Sequence, residues 1–331
     1  MAKRVALALG SGGARGYAHV GVINELRSRG YEVVGVAGSS MGALVGGLFA
    51  AGSLEEFTEW STTLTQRAVL RLLDPSITAA GVFRAGRFLD AVREILGEVT
   101  IEELPIPYTA VTTDLLAGKS VWLQRGLLTE AIRASIAIPG VIAPHVLNGR
   151  LLADGGILDP LPMAPIASAN ADLTVAVSVS GMEADQATDI PAGPETKATR
   201  ERLNRLLRST SALFDRFVTA AEVVDPDDVP DDADDISDDA DEDAEDDAVR
   251  ESAMPKLGSF AVMMRTIDIA QAALARHQMA AYPPDVLIEV PRNACRSLDF
   301  HRAAEVIALG HELAARALDR VEAGADPRVE Q

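Results

Sequence analysis

A single cysteine, Cys295, in 331 residues rules out an intrachain disulfide and any cysteine-rich metal site. It fits a reducing compartment. Aromatic residues are scarce, at 4% of the chain, and alanine, valine, leucine and glycine carry most of the apolar content. Such side chains suit helices packed closely on a sheet. No basic stripe runs through the sequence, so nucleic acid is not expected as a partner. Nor does any stretch reach the roughly 18 apolar residues of a membrane-spanning helix. The nearest, Met41 to Ala51, reads as a buried helix. The opening MAKRVALALGSGG imitates a signal peptide faintly, but its apolar run stops at Gly10, so it reads as a first strand. The expected location is cytoplasmic, with room for peripheral contact with a membrane.

Charge is unevenly spread. The formal net charge is -19, yet Asp225 to Asp247 alone hold 15 acidic residues and no basic one. The remainder has 34 acidic against 30 basic residues and is only mildly acidic. Low hydropathy and like-charge repulsion predict that this tract, about 225–250, is a disordered insertion. A strand and a helix are still expected after it, so residues 1–331 are read as one domain, completed by a C-terminal helix, strand and helix.

The N-terminal half alternates apolar strands with helical spacing. Arg4 to Leu9 and Val33 to Ala37 read as buried strands; Tyr17 to Arg29 and Ala43 to Ala51 read as helices. This order predicts an α/β fold with a mostly parallel central sheet and helices on both faces. Further on, residues 53 to 98 look mainly helical. Strands are expected at 107–113, 120–123, 151–153, 173–179 and 285–290, and helices at 127–137, 199–223, 257–280 and 300–321. Residues 181–197 are expected to form a surface loop. The Met and Ile positions of helix 257–280 read chiefly as core, with lining of an acyl pocket or facing a membrane as the other options.

Two turns carry chemistry. Gly38-Ser39-Ser40-Met41-Gly42 joins a Val-rich strand to an apolar helix in the pattern of a nucleophile elbow. Such a turn lifts the Ser40 hydroxyl out of the sheet edge beside a helix N-terminus, where developing negative charge is favoured. The bland reading is a tight connection in which Ser39 or Ser40 is only a helix cap. The second turn, Gly10-Ser11-Gly12-Gly13-Ala14-Arg15-Gly16, also leaves a strand and opens a helix. Its glycine spacing is wrong for a dinucleotide cradle, and it lacks the lysine of a P-loop. A structural turn and an oxyanion hole remain. Parallel pairing of the first two strands would bring both turns to one edge, with the Gly12 and Gly13 N–H groups near a carbonyl attacked by Ser40.

A serine nucleophile needs a base. Among five histidines, His145 is the best placed, while His19, His277, His301 and His311 read as packing or surface residues. Asp154, at the end of a short strand and before Gly155 and Gly156, is the stronger candidate, although Asp-Gly is also a common turn former. Together with Ala134-Ser135-Ile136-Ala137-Ile138-Pro139-Gly140, the three glycine-rich motifs resemble, in order and spacing, those of the patatin-like phospholipase family over about residues 4 to 180. The resemblance implies a Ser40–Asp154 dyad without histidine, acyl-ester hydrolysis of the phospholipase A or lysophospholipase kind, and an oxyanion site at Gly12 and Gly13. It sets Arg15 at the family's basic loop position and calls for no metal and no cofactor. Lipid or another acyl ester is the expected substrate. A dormant lipid-binding protein of the same fold stays open, as does nucleotide binding through the glycine loop. The acidic tract lies outside the family pattern.

Overall fold

Strand and helix alternate from the start of the chain, as the apolar runs separated by glycine turns dictate. The computed structural model describes residues 2–72, 86–181 and 259–324. β1 (Arg4–Leu9), α1 (Ala18–Ser28), β2 (Glu32–Ser39) and α2 (Met41–Ala50) come first. α3 (Leu54–Thr62), α4 (Gln66–Leu72) and α5 (Gly86–Leu96) follow. Next come β3 (Tyr108–Asp114), β4 (Lys119–Leu123), α6 (Leu128–Ser135), β5 (His145–Leu147), β6 (Arg150–Asp154) and β7 (Leu173–Gly181). The described chain ends with α7 (Ser259–Ala281), β8 (Val286–Pro291) and α8 (Ala303–Glu322). Contacts divide the chain into two units, residues 1–190 with 267–331, and 191–266. Of the second unit only the first turns of α7 are described.

Eight strands form one α/β sheet. β3, β2, β1, β7 and β8 lie in that order, each parallel to its neighbour. β4 and β6 both run antiparallel to β3, and β5 antiparallel to β6. The pairing of β3 positions everything that follows. β4 covers Ala110 to Asp114 along one edge. The opposite edge is divided: β2 pairs with Tyr108 to Val111, and β6 with Thr112 to Asp114. Because β2 runs with β3 and β6 runs against it, the C-terminal ends of β2 and β6 meet head on.

Side-chain alternation assigns the two faces of the sheet. Ala6, Ala8, Ala37 and Ala176 are small, and Leu161, Met163, Ile166 and Ala275 of α7 pack on them. The other face receives α2, which approaches closely enough that Gly46 lies against Leu9 and Val36. α8 lies on α1 with backbone contact at Gly21 and Gly310, where no side chain would fit.

Several details differ from the sequence reading. The glycine loop is not a loose turn: Gly13–Tyr17 forms a buried 3-10 helix. β5 was not expected, since three residues give too little alternation to detect. In α7 the buried positions are Gln271, Ala272 and Ala275, whereas Ile269 is 55% exposed. Small residues are what let α7 approach the alanine face. Of the loop expected at 181–197 only Gly181 is described, and it ends β7. The rest of that loop, the helix at 199–223 and the acidic tract lie outside the described residues, as do 73–85.

Candidate active site

Ser40 stands between β2 and α2 at φ 55°, ψ -120°, a backbone region costly for a residue with a side chain. The turn is this tight because strand and helix nearly touch. A side chain on Gly42 would run into the Leu9 carbonyl, and one on Gly38 into the Gly42 backbone. Ser40 occupies the cap position of α2, but its side chain makes no capping hydrogen bond. Instead Oγ donates to Oδ2 of Asp154 at 2.5 Å. The Ser40 side chain is therefore not spent on capping α2.

Asp154 is the last residue of β6 and meets Ser40 because the two strand ends converge. Its Oδ1 accepts the Gly156 N–H at 2.7 Å, and its own N–H donates to the Ala137 carbonyl at 3.0 Å. Gly155 fits against the Val111 carbonyl and Ser39 Oγ, and Gly156 against Ser11 and Gln271. Asp154 is 2% exposed. Burial raises its pKa from 3.8 to about 6, against the opposing pull of the Ser40 and Gly156 hydrogen bonds. A carboxylate so shifted is a better proton acceptor than an exposed one and is still ionised at neutral pH.

The end of α6 and the residues just after it hold both residues in place. Ser135 is fully buried; its Oγ accepts the Ser40 N–H at 2.9 Å and donates to the Val111 carbonyl at 2.6 Å. Two residues on, the Ala137 carbonyl receives the Asp154 N–H. The sequence reading placed this segment in a motif but gave Ser135 no role. Its only signal was a hydroxyl within an otherwise apolar stretch.

The glycine loop packs against the same centre. Gly10, Ser11 and Ala14 donate their N–H groups to the carbonyls of Val177, Pro160 and Ser297. Among the described residues, the N–H groups of Gly12 and Gly13 have no hydrogen-bond partner. Gly13 has φ 60°, which favours glycine. Arg15 is 4% exposed; its Nε donates to the Gly12 carbonyl at 3.2 Å and its Nη2 to Asp268 at 3.0 Å and Ser297 Oγ at 3.1 Å. It is thus a tether between the loop, α7 and the segment after β8. Gly16 lies against Met41, joining the loop to the serine turn. His19 Nε2 contacts the Gly10 carbonyl at 2.8 Å, and burial lowers its pKa to about 4, so it is a neutral brace. His145 bonds to Glu130 at 2.7 Å. Ser40 is engaged by Asp154 and Ser135, and by no histidine among the described residues.

A cavity opens from Ser40. Its lining includes Gly13, Tyr17, Met41 and Leu44 around the serine turn, together with Val69, Leu72, Phe88, Ile136, Ile138, Val141 and Ile142. Its walls are almost wholly apolar, and α7 contributes none of the described lining. Among the described residues, the acyl-pocket option raised above for that helix finds no lining side chain.

Comparison with known proteins agrees with the family resemblance. The model of the patatin-like phospholipase family matches residues 7–167. An uncharacterised NTE family protein of Mycobacterium tuberculosis is 64% identical over 338 residues, covering 96% of this chain and 92% of that protein. One of Mycobacterium bovis matches to the same extent. The neuropathy target esterase of Drosophila melanogaster is 32% identical over 186 residues, which are 54% of this chain and 13% of that much longer protein.

Proposed function

The chain belongs to the patatin-like phospholipase family, and we propose that it is a serine acyl hydrolase cleaving lipid acyl esters through Ser40 and Asp154. The family as a whole acts on lipid acyl esters. The observation that carries the finer reading is the 2.5 Å hydrogen bond from Ser40 Oγ to a buried carboxylate, at the mouth of an apolar cavity.

In this mechanism Asp154 takes the Ser40 hydroxyl proton as Oγ attacks the ester carbonyl. The tetrahedral oxyanion accepts hydrogen bonds from the Gly12 and Gly13 N–H groups. Collapse breaks the bond to the alcohol, which leaves with the proton held by Asp154, and an acyl-Ser40 ester remains. Water then attacks that ester while Asp154 accepts its proton. The fatty acid departs and the proton returns to Ser40. The cavity receives the acyl chain; its walls offer no charge, so recognition rests on apolar contact. No metal enters any step.

The test is turnover of p-nitrophenyl esters and labelling by a fluorophosphonate. The parent should do both, Ser40→Ala neither, and Asp154→Asn should be nearly inactive. His145→Ala should stay close to the parent. Undiminished turnover by Ser40→Ala would refute the reading. A folded parent that resists the label would indicate a dormant lipid-binding protein instead.

A further inference from the structure

The wing of the sheet beyond the active site has an exposed surface that hydrolysis at Ser40 does not explain. β4, β3, β6 and β5 form an antiparallel patch, and its two hairpin turns, 115–118 and 148–149, project from the same end. Leu115 continues the ladder by donating its N–H to the Leu151 carbonyl at 2.9 Å, and Leu151 pairs with Val146. Residues directly paired across strands share a face. Trp122 pairs with Val111, two steps of alternation from Leu115, and so shares that face too. Leu115 is 42% exposed, Trp122 45% and Val146 67%, and Leu116, in the turn beyond the ladder, is 79% exposed.

Charge narrows the choice of partner. The chain carries 49 acidic against 30 basic residues. Yet the segments 115–124 and 141–153 contain no acidic residue, and they present Lys119 and Arg150, both exposed, at the roots of the two turns. Lys119 pairs with Asp114 and Arg150 with Leu147, so both cations stand on the opposite face from Trp122 and Val146. Apolar and cationic side chains come together only at the turn end of the wing. An end that carries both has the composition of a surface that rests end-on in the headgroup region of an anionic bilayer. Among the described residues no helix is long and apolar enough to cross a membrane, so the contact is peripheral.

We propose that this wing docks the protein on anionic phospholipid bilayers, with Leu116, Trp122 and Val146 entering the headgroup layer and Lys119 and Arg150 meeting lipid phosphates. The surface is close to the cavity: Val146 is four residues beyond the lining residue Ile142, a chain length of at most about 14 Å. Docking there would bring the cavity near its substrate. Binding itself needs no turnover and so does not depend on the proposed hydrolysis.

The experiment is flotation of the full chain with phosphatidylcholine vesicles, with and without phosphatidylglycerol. Ser40→Ala serves as the background, so that vesicles are not consumed. The background protein should float with the anionic vesicles, less with the neutral ones, and less as salt rises. Leu116→Ser with Val146→Ser, and separately Lys119→Glu with Arg150→Glu, should each lower the bound fraction about tenfold. In the parent, the same pairs should leave melting temperature and turnover of a soluble p-nitrophenyl ester unchanged. Equal flotation of variants and background, equal flotation with both vesicles, or none with either, would overturn the proposal. Flotation as expected from a parent that hydrolyses no ester would leave docking standing and remove the hydrolase reading.

Discussion

Ser40 holds a conformation that few residues with side chains adopt, and the hydroxyl of Ser135 helps to keep it there. The Ser135 Oγ accepts the Ser40 N–H and donates to Val111, the β3 residue paired with Ser39. Removing that oxygen leaves a buried N–H without a partner, at a cost of about 1–3 kcal/mol. The left-handed turn at Ser40 costs about as much by itself, so relaxation there is favoured. Ser135→Ala is therefore expected to lower kcat about tenfold, to leave KM for a soluble ester near the parent value, and to slow fluorophosphonate labelling in parallel. A variant that only melts earlier, with kcat intact, would make Ser135 merely structural. The dyad also implies a pH dependence. The base must be ionised, and burial has raised Asp154 to about 6. The kcat/KM of the parent should rise with pH through about 6 and then level off. Asp154→Asn should be low and flat across the range; a rise through 6 in that variant would assign the ionisation to another group.

Two strands meeting end to end on one edge of β3 are what join residues 114 positions apart. Gly155 sits at that junction, where a side chain would meet the Val111 carbonyl and Ser39 Oγ. Gly155→Ala is expected to push β6 away from β2, destabilise the fold by about 1–3 kcal/mol, and cost more activity than this loss of stability explains. Preserved turnover with lowered stability would show that the junction tolerates the shift. Much of this architecture was legible beforehand. Long buried strands such as Arg4–Leu9 declare themselves by apolar content, and glycine turns by composition. The serine turn, glycine loop and aspartate turn could be ordered along the chain. The convergence of β2 and β6 could not be read, because it depends on two strands sharing one edge of a third, and no residue pattern encodes that. β5 escaped because three residues carry no period. Ser135 escaped because its partners are backbone groups far away in sequence. The reading of Met and Ile in helix 257–280 as core failed at Ile269, where small alanines on the sheet selected small residues of α7 for burial.

For the molecule as a whole, the burial that suits Asp154 to catalysis opposes stability at neutral pH. Asp154 and Asp159 are both buried, and desolvation raises each from 3.8 to about 6. Between those values the folded chain binds more protons than the unfolded one, so stability falls as pH rises. The stability contributed by each protonated carboxyl is fully present below 3.8 and is lost as pH passes through about 6. By pH 8 each carboxylate would cost up to about 3 kcal/mol. Repulsion among the chain's many acidic residues also grows with pH, and would mask the effect in the parent alone. Comparing each variant with the parent at one pH cancels that background. Asp154→Asn and Asp159→Asn should therefore melt above the parent at pH 8, with the difference shrinking to nothing below about pH 4. The Asp154 variant should gain stability while losing turnover, the trade expected where a strained site serves chemistry. A difference in melting temperature that stays constant from pH 4 to 8 would trace to side-chain shape and not to charge, and the raised pKa of these carboxyls would then be wrong.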